Sequence, residues 1–512
     1  MALIRYTAST DTTIVNAFQP NLRTRGTGAN MGMADVMEVF SVYGRETTSS
    51  QELSRLLIKF PISGISADRT NSVIPASGSV SFYLRLFNAK TSKTVPINYT
   101  LKVFSVSQDW QEGVGLDLEG YTDLTKGNAG ANWMSASNTV AWTASAGAAG
   151  GSYLTGTSDP NFSQTFSTGL EDLEINITPL VEHWMAGTIS NYGVGVHLTS
   201  SQEAAFSSST GLNSGSVLNN TGGATTSYYT KRFFARGSQF FFKRPVIEAR
   251  WNSSVKDDRG DFVYSSSLSP GPNNLNTLYL YNYIRGQLAN IPAISTTGAI
   301  LVSLYSGSAT NIGPSGSKLL LYDGNTNLTG GYVSTGIYSC SVATTAAAVP
   351  LQQLFDVWHS GSIEFFTGSI KPSIISASQA VAAPVHYLNI TNLQSRYRSN
   401  ETARFNLYVR DKNWSPTIYT VANTTATSTT IHSASYKVYR ILDSYEAVPY
   451  GTGSDKHTVL SYDISGNYFD FDMNLLDSGY MYGFKFAFYD AALTSWVEQP
   501  YMFKFRVEDY GY

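Results

Sequence analysis

Ile175-Asn176-Ile177-Thr178-Pro179-Leu180-Val181-Glu182-His183-Trp184-Met185-Ala186-Gly187, then Thr188-Ile189-Ser190-Asn191, then Tyr192-Gly193-Val194-Gly195-Val196-His197-Leu198, predicts strand, short helix, tight loop and strand. Thr178 suits the N-cap, where its hydroxyl can accept an orphan N–H. Pro179 suits the first helical position, which needs no N–H. Gly187 falls where a left-handed residue ends a helix. Leu180, Val181, Trp184 and Met185 share one face, which predicts a buried Trp184 sealing one end of a sandwich. In the second strand Tyr192, Val194, Val196 and Leu198 alternate with Gly193, Gly195 and His197. Glycines on that second face predict close approach by another backbone.

Three segments on either side extend the pattern. Arg55-Leu56-Leu57-Ile58-Lys59-Phe60 reads as a strand with arginine, with residues 62–65 as its tail. Residues 81–87 and 101–113 read as a strand pair ending in Val106, Trp110 and Glu112. Arg236-Gly237-Ser238, then Arg244-Pro245-Val246-Ile247-Glu248-Ala249, reads as a last strand. In this order the four segments resemble the DNRLRE domains, a jelly-roll family allied to carbohydrate-binding modules. The resemblance spans residues 1 to about 252. The Arg250-Trp251 end and the Ser/Gly-rich insert near residues 207–227 depart from it. It implies a jelly-roll fold and makes exposed aromatic side chains candidate glycan contacts.

Composition narrows the class. Apolar residues make up 42%, enough for packed cores, while charged residues make up 14%, well below the usual share. Tyr, Phe, Ser, Thr, Gly and Asn fill the difference, as in β-rich proteins with neutral, polar surfaces. A net charge of −3 without a basic stripe argues against a nucleic-acid partner. Cys340 is the only cysteine, so no intrachain disulfide is expected. Met1-Ala2-Leu3-Ile4-Arg5-Tyr6 reads as the start of a strand, not a secretory signal. No apolar run has the length of a membrane-spanning helix, so no membrane partner is expected. Together these features lead us to expect a virion component, assembled in a host cytoplasm and released by lysis.

The remaining chain is punctuated by turn signals. Residues 126–170 read as a long, weakly patterned surface loop carrying Trp133 and Trp142. Beyond residue 252 strands are expected at 277–283, 298–305, 318–321, 336–342 and 361–367, with turns at Gly324-Asn325 and Gly330-Gly331 and a short helix at 351–358. Further strands are expected at 435–442, 468–473, 483–489 and 501–507, beside an alternating run at Phe405, Leu407 and Val409. The expected fold is all-β, with three tandem antiparallel β-sandwich domains: a DNRLRE-like jelly roll at 1–252, a β-sandwich at 253–371 and an Ig-like β-sandwich at 372–512.

Candidate chemistry is sparse. The six histidines lack metal spacing. Gly313-Pro314-Ser315-Gly316 does not make a hydrolase elbow. Glu171, Asp172 and Glu174, and the strand pair Asp470 and Asp472, read more readily as solvated carboxylates than as cation ligands. Arg259-Gly260-Asp261 reads as linker, not as an integrin motif. No catalytic residue, cofactor or metal is expected, and the chain is not expected to be an enzyme. The leading expectation is a structural component of a bacteriophage virion, at the neck, tail or baseplate or as an outer decoration, whose partners are other virion proteins and copies of itself. The alternative is a carbohydrate-binding host-attachment protein, with a host surface glycan as partner. On either reading Trp133, Trp142 and Tyr153 are the candidate interface or glycan contacts, and both tryptophans are expected at a surface.

Overall fold

A computed structural model describes the chain except residues 1, 45–50, 93, 118–119, 123–129, 139, 144–148, 208–215, 309, 311, 345–350, 376–384, 416–427 and 511–512. Strand accounts for 42% and helix for 6%, so the protein is all-β, built from antiparallel sandwiches. The described chain divides into two compact units, Ala2–Asn252 and Ser253–Tyr512.

The first unit has strands β1 (Leu3–Thr7), β2 (Thr10–Val15), β3 (Val36–Val42), β4 (Glu52–Lys59), β5 (Ser81–Leu86), β6 (Tyr99–Ser105), β7 (Asn161–Phe166), β8 (Leu173–Asn176), β9 (Val194–Leu198), β10 (Tyr228–Phe234) and β11 (Val246–Arg250), with helices α1 (Ile62–Thr70) and α2 (Thr178–Ala186). One sheet runs β1-β11-β5-β8, and the other contains β4-β9-β6-β7. With β2, β3 and β10 set aside, eight strands remain. In chain order they fall 1-8-3-6 in one sheet and 2-7-4-5 in the other, the double Greek key of a jelly roll. The three further strands widen the second sheet beyond β4: β2 and β3 pair with β4, and β10 pairs with β3. The inner faces meet in a core that includes Leu56, Ile58, Phe82, Leu84, Leu101, Val103, Val196 and Ile247.

The stretch 175–198 behaves as strand, helix and strand, with one difference at the cap. Gly187 is left-handed at φ 71° and its N–H reaches Trp184 O, while Leu180, Val181 and Trp184 are buried. The Thr178 hydroxyl does not cap α2. It accepts the Phe82 N–H at 2.8 Å and donates to Asn176 Oδ1, tying the helix entry to β5. A Cβ at Gly193 would meet Ile58 O at 2.1 Å, the backbone approach expected from sequence. At Gly195 it would instead meet the ring of Tyr153, also at 2.1 Å. Residues 62–65 belong to helix α1 instead of a strand tail.

The second unit holds two sets of sheets. A six-stranded sheet orders Asn276–Tyr281, Ile337–Val342, Leu328–Ser334, Ile300–Gly307, Gln353–Ser360 and Ile363–Ile370. Three expectations fail here. The helix expected at 351–358 is the strand Gln353–Ser360, because Phe355, Val357 and Trp358 lie in a central strand with both faces buried. The turn expected at Gly330-Gly331 lies within a strand, where Gly330 lets Ser339 O approach to 2.8 Å of a would-be Cβ. Residues 318–321 make only isolated bridges, at Lys318 and Leu321. At one end of this sheet, Asn282 N–H bonds Gly336 O and the Gly336 N–H bonds Asn290 Oδ1. Around this corner Tyr283, Ile284, Leu288, Tyr332 and Val333 are exposed.

The other set orders His386–Ile390, Thr402–Asp411, Gly466–Asp472 and Ser461–Asp463 in one sheet. Arg396–Arg398, Phe503–Glu508, Met481–Asp490, Ala434–Arg440 and Glu446–Val448 run in order through the other, with Ser495–Glu498 also paired to Met481–Asp490. This is the immunoglobulin strand order, with Arg396–Arg398 running parallel to Phe503–Glu508. Tyr482, at the start of Met481–Asp490, donates its hydroxyl to Asp477 O at 3.0 Å, the corner bond of that fold. Tyr482→Phe is expected to cost about 1 kcal/mol, read as a shift in the urea midpoint of the full chain. The segment 256–262 links the two sets. Lys256 bridges to Tyr462, whose hydroxyl donates to Asp258 Oδ1, and Asp258 Oδ2 accepts the Thr277 N–H. The division expected at 371/372 therefore lies within one compact unit.

Candidate functional site

Outside the jelly-roll core, the second sheet carries a further apolar layer. Ile14, Leu53 and Leu57 point away from the inner core and pack with Val106, Trp110, Ala131, Trp133, Ala136 and Trp142. Trp133 and Trp142 are 0% and 2% exposed, so the expectation of surface tryptophans is corrected. Sheet side chains on this face need cover, and both indoles bury without losing a hydrogen bond. Trp133 Nε1–H donates to Ser216 O at 2.9 Å, and Trp142 Nε1–H to Asn132 O at 2.8 Å. Tyr153 fills the space left by Gly195 and donates its hydroxyl to Gly150 O. Its ring packs at a tilt against Phe104 and His197, and the residue stays half-buried. The stretch expected as loop at 126–170 also contains β7.

Beneath this layer lies a buried ionic cluster. Arg55 on β4 donates to both carboxylate oxygens of Glu203, at 3.0 and 2.9 Å, and to Gly150 O at 2.9 Å. His197 on β9 stands 3.7 Å from Glu203 and stacks on Phe104. Burial, followed by the Arg55 charge, holds the His197 imidazole down at about 4. An unfolded histidine titrates at about 6.5, so between these values the unfolded chain takes up the proton first, and stability is lost as pH falls through that window. Asp11 in the same unit acts oppositely: burial lifts its carboxyl to about 7, so stability rises as pH falls below that value. Comparison with His197→Gln cancels the Asp11 contribution. From pH 7 to 4.5 the unsubstituted chain is expected to lose about 2 kcal/mol more than this variant, measured by denaturant titration at both pH values.

Next to this layer, the added strands build a pocket of 460 Å³ lined by Phe18, Glu38, Phe40, Glu52, Tyr121, Tyr229 and Arg232 among others. Its geometry follows from strand alternation. Glu38, Phe40 and Val42 point to one face of β3, and Arg232 on β10 sits directly opposite Glu38. Glu38 accepts from Arg232 Nε, from the Thr230 hydroxyl at 2.8 Å and from the Tyr121 hydroxyl at 3.4 Å. Burial, then the Glu38 charge, raises the Tyr121 phenol well above its ordinary value. Glu52, at the start of β4, accepts a long bond of 3.4 Å from the Phe18 N–H, and burial raises its carboxyl. Arg25 lies 4.2 Å over the Phe18 ring, and burial lowers its guanidinium while the Glu52 charge opposes that shift. Beneath the pocket Val15, Ala17, Ala29, Met31 and Phe40 form a small apolar core.

The other polar motifs are absorbed by structure. Asp470 pairs with both ends of the Arg404 guanidinium, and Asp472 accepts the Asn474 N–H. Glu171 accepts the Ser167 and Thr168 N–H groups, Asp172 accepts that of Asn88, and Glu174 pairs with Arg250. Arg259 is nearly buried and bound to Asp356, so Arg259-Gly260-Asp261 does not present its arginine to a partner. Among the described residues no group of three His, Cys, Asp or Glu is placed to hold a metal ion, and no helix is long and apolar enough to cross a membrane.

Neither a family model nor a curated protein matches the sequence. Solved structures give distant likenesses. The N-terminal Ig1-2 module of the Drosophila receptor protein tyrosine phosphatase DLAR is 7% identical, with 46% of this chain and 90% of that one covered at a TM-score of 0.14. A structure of tandem Ig repeats of Dlar is 8% identical, covering 41% and 82% at 0.13. Salmonella alpha-2-macroglobulin reacted with methylamine is 10% identical, covering 99% and 34% at 0.14. Scores this low carry no argument, and the fold assignment rests on strand order.

Proposed function

We propose that the chain is a structural component of a bacteriophage virion, at the neck, tail or baseplate or as an outer decoration, working through contacts with other virion proteins and copies of itself. The observation that carries this reading is the exposed apolar cross-strand pair Tyr283 and Leu288, with Ile284, Tyr332 and Val333 also exposed at that end of the sheet, on a scaffold of packed β-sandwiches. Clustered exposed apolar side chains mark contact surfaces, and repeated copies of one surface assemble into closed rings or arrays. The low charge and the DNRLRE-like order of the first unit agree with an extracellular, rigid role. Mass spectrometry of purified particles, with electron microscopy of particles labelled on this chain, tests it. A symmetric set of labels is the expected result, and a chain found only in soluble lysate refutes the reading.

A second reading, host attachment through a surface glycan, is favoured by the pocket on β3, β4 and β10, which joins aromatic walls to carboxylates and a guanidinium. The two roles are compatible on one particle.

A further inference from the structure

We propose that the pocket built by β3, β4 and β10 binds a neutral saccharide unit, held between Tyr229, Phe18, Glu52 and Arg232. This deepens the host-attachment reading and rests on it.

Size comes first. A volume of 460 Å³ lies within the range of small-molecule clefts and exceeds what one ordered water or ion fills. Charge comes next. The two carboxylates of Glu38 and Glu52 are matched by the guanidiniums of Arg232, in the lining, and Arg25, over Phe18. The formal charges cancel, so an anion meets Glu52 and a cation meets Arg232 without net attraction. A ligand that is uncharged yet rich in hydrogen-bonding groups loses nothing to this balance.

Hydrogen bonding then specifies the class. Carboxylate oxygens accept from hydroxyls, and a guanidinium donates to hydroxyl or ring oxygens. Glu52 is half-buried and accepts a bond of 3.4 Å from the Phe18 N–H, so added hydroxyl donors compensate its lost hydration. Glu38 is already engaged by Arg232, Thr230 and Tyr121, which fixes Arg232 in place. Apolar contact completes the match. The C–H faces of a sugar ring pack on aromatic rings, and Phe18, Phe40, Tyr121 and Tyr229 supply them, with Tyr229 58% exposed at the rim. An all-apolar ligand would take water from the half-buried Glu52 carboxylate and offer it no hydroxyl donor in exchange, which the same desolvation argument disfavours.

The test uses the full chain and saturation-transfer NMR with free glucose, galactose, mannose and N-acetylglucosamine and their disaccharides. Glucuronate and N-acetylneuraminate serve as anionic counterparts, and soluble dextran and galactomannan as polymers. The expected result is saturable binding of at least one neutral sugar or polymer, weakened tenfold or more by Tyr229→Ala and by Glu52→Gln and retained by Tyr229→Phe, with thermal melts unchanged. Sugar binding indifferent to these substitutions would overturn the pocket assignment and leave host attachment standing at another surface. Preference for the anionic sugars would overturn the neutral class. Absence of binding to every probe would overturn both the pocket assignment and the attachment reading. Concentration-dependent self-association abolished by Tyr229→Ala, without sugar binding, would overturn the proposal in favour of a contact between copies.

Discussion

Trp133→Ala is expected to destabilise the first unit by about 3–5 kcal/mol, the range for emptying a buried aromatic site. The indole is fully buried among Leu53, Leu57, Val106 and Trp142. Its truncation leaves a cavity, removes the bond to Ser216 O and exposes one side of Arg55, whose guanidinium lies 5.6 Å from the Trp133 ring. Denaturant unfolding of the full chain, followed by fluorescence of the remaining tryptophans and by circular dichroism, reads the loss. A surface tryptophan serving a glycan would cost almost nothing on removal, so an unchanged midpoint would show that the layer over the second sheet is open in solution.

Glu203→Ala is expected to cost a similar amount, about 3–5 kcal/mol, for an electrostatic reason. Arg55 and Glu203 are nearly buried, and the alanine variant strands a guanidinium without its counter-charge. The double variant Arg55→Leu, Glu203→Leu is expected to lose markedly less than Glu203→Ala alone, since an apolar pair carries no desolvation cost. A double variant as unstable as the single one would mean that the Arg55 bond to Gly150 O, not the ion pair, holds the layer down.

These two residues also mark where the sequence could be read and where it could not. Strands β5, β6 and β9 were legible because apolar residues alternate along them, and α2 because it carries its own stop signal at Gly187, whereas β7 lies in a stretch that reads as loop. The tryptophans were misplaced because residues 126–142 are rich in Gly, Ala, Ser and Asn, which reads as exposed loop. The missed signal lay in β4. Leu53, Leu56, Leu57 and Ile58 are apolar on both faces, and a strand apolar on both faces requires a cover on each. The pocket gave no local signal, since its residues come from six separated segments, of which only β3, β4 and β10 are joined by sheet pairing. Only Glu38, Phe40 and Val42, two residues apart along β3, hinted at one shared face. In the second unit Gly330-Gly331 misled for a similar reason: glycine permits a turn, but here it admits a neighbouring strand.

The parallel pairing of Arg396–Arg398 with Phe503–Glu508 has a mechanical consequence. Hydrogen bonds run from Arg506 N–H to Ser395 O and from Ser399 N–H to Glu508 O, both at 3.0 Å and both across the strands. A force that draws the two strands past each other along their length strains these bonds together. Unzipping from one end would strain them in turn. Shear loading shares the tension, so this edge should yield late when the chain is stretched.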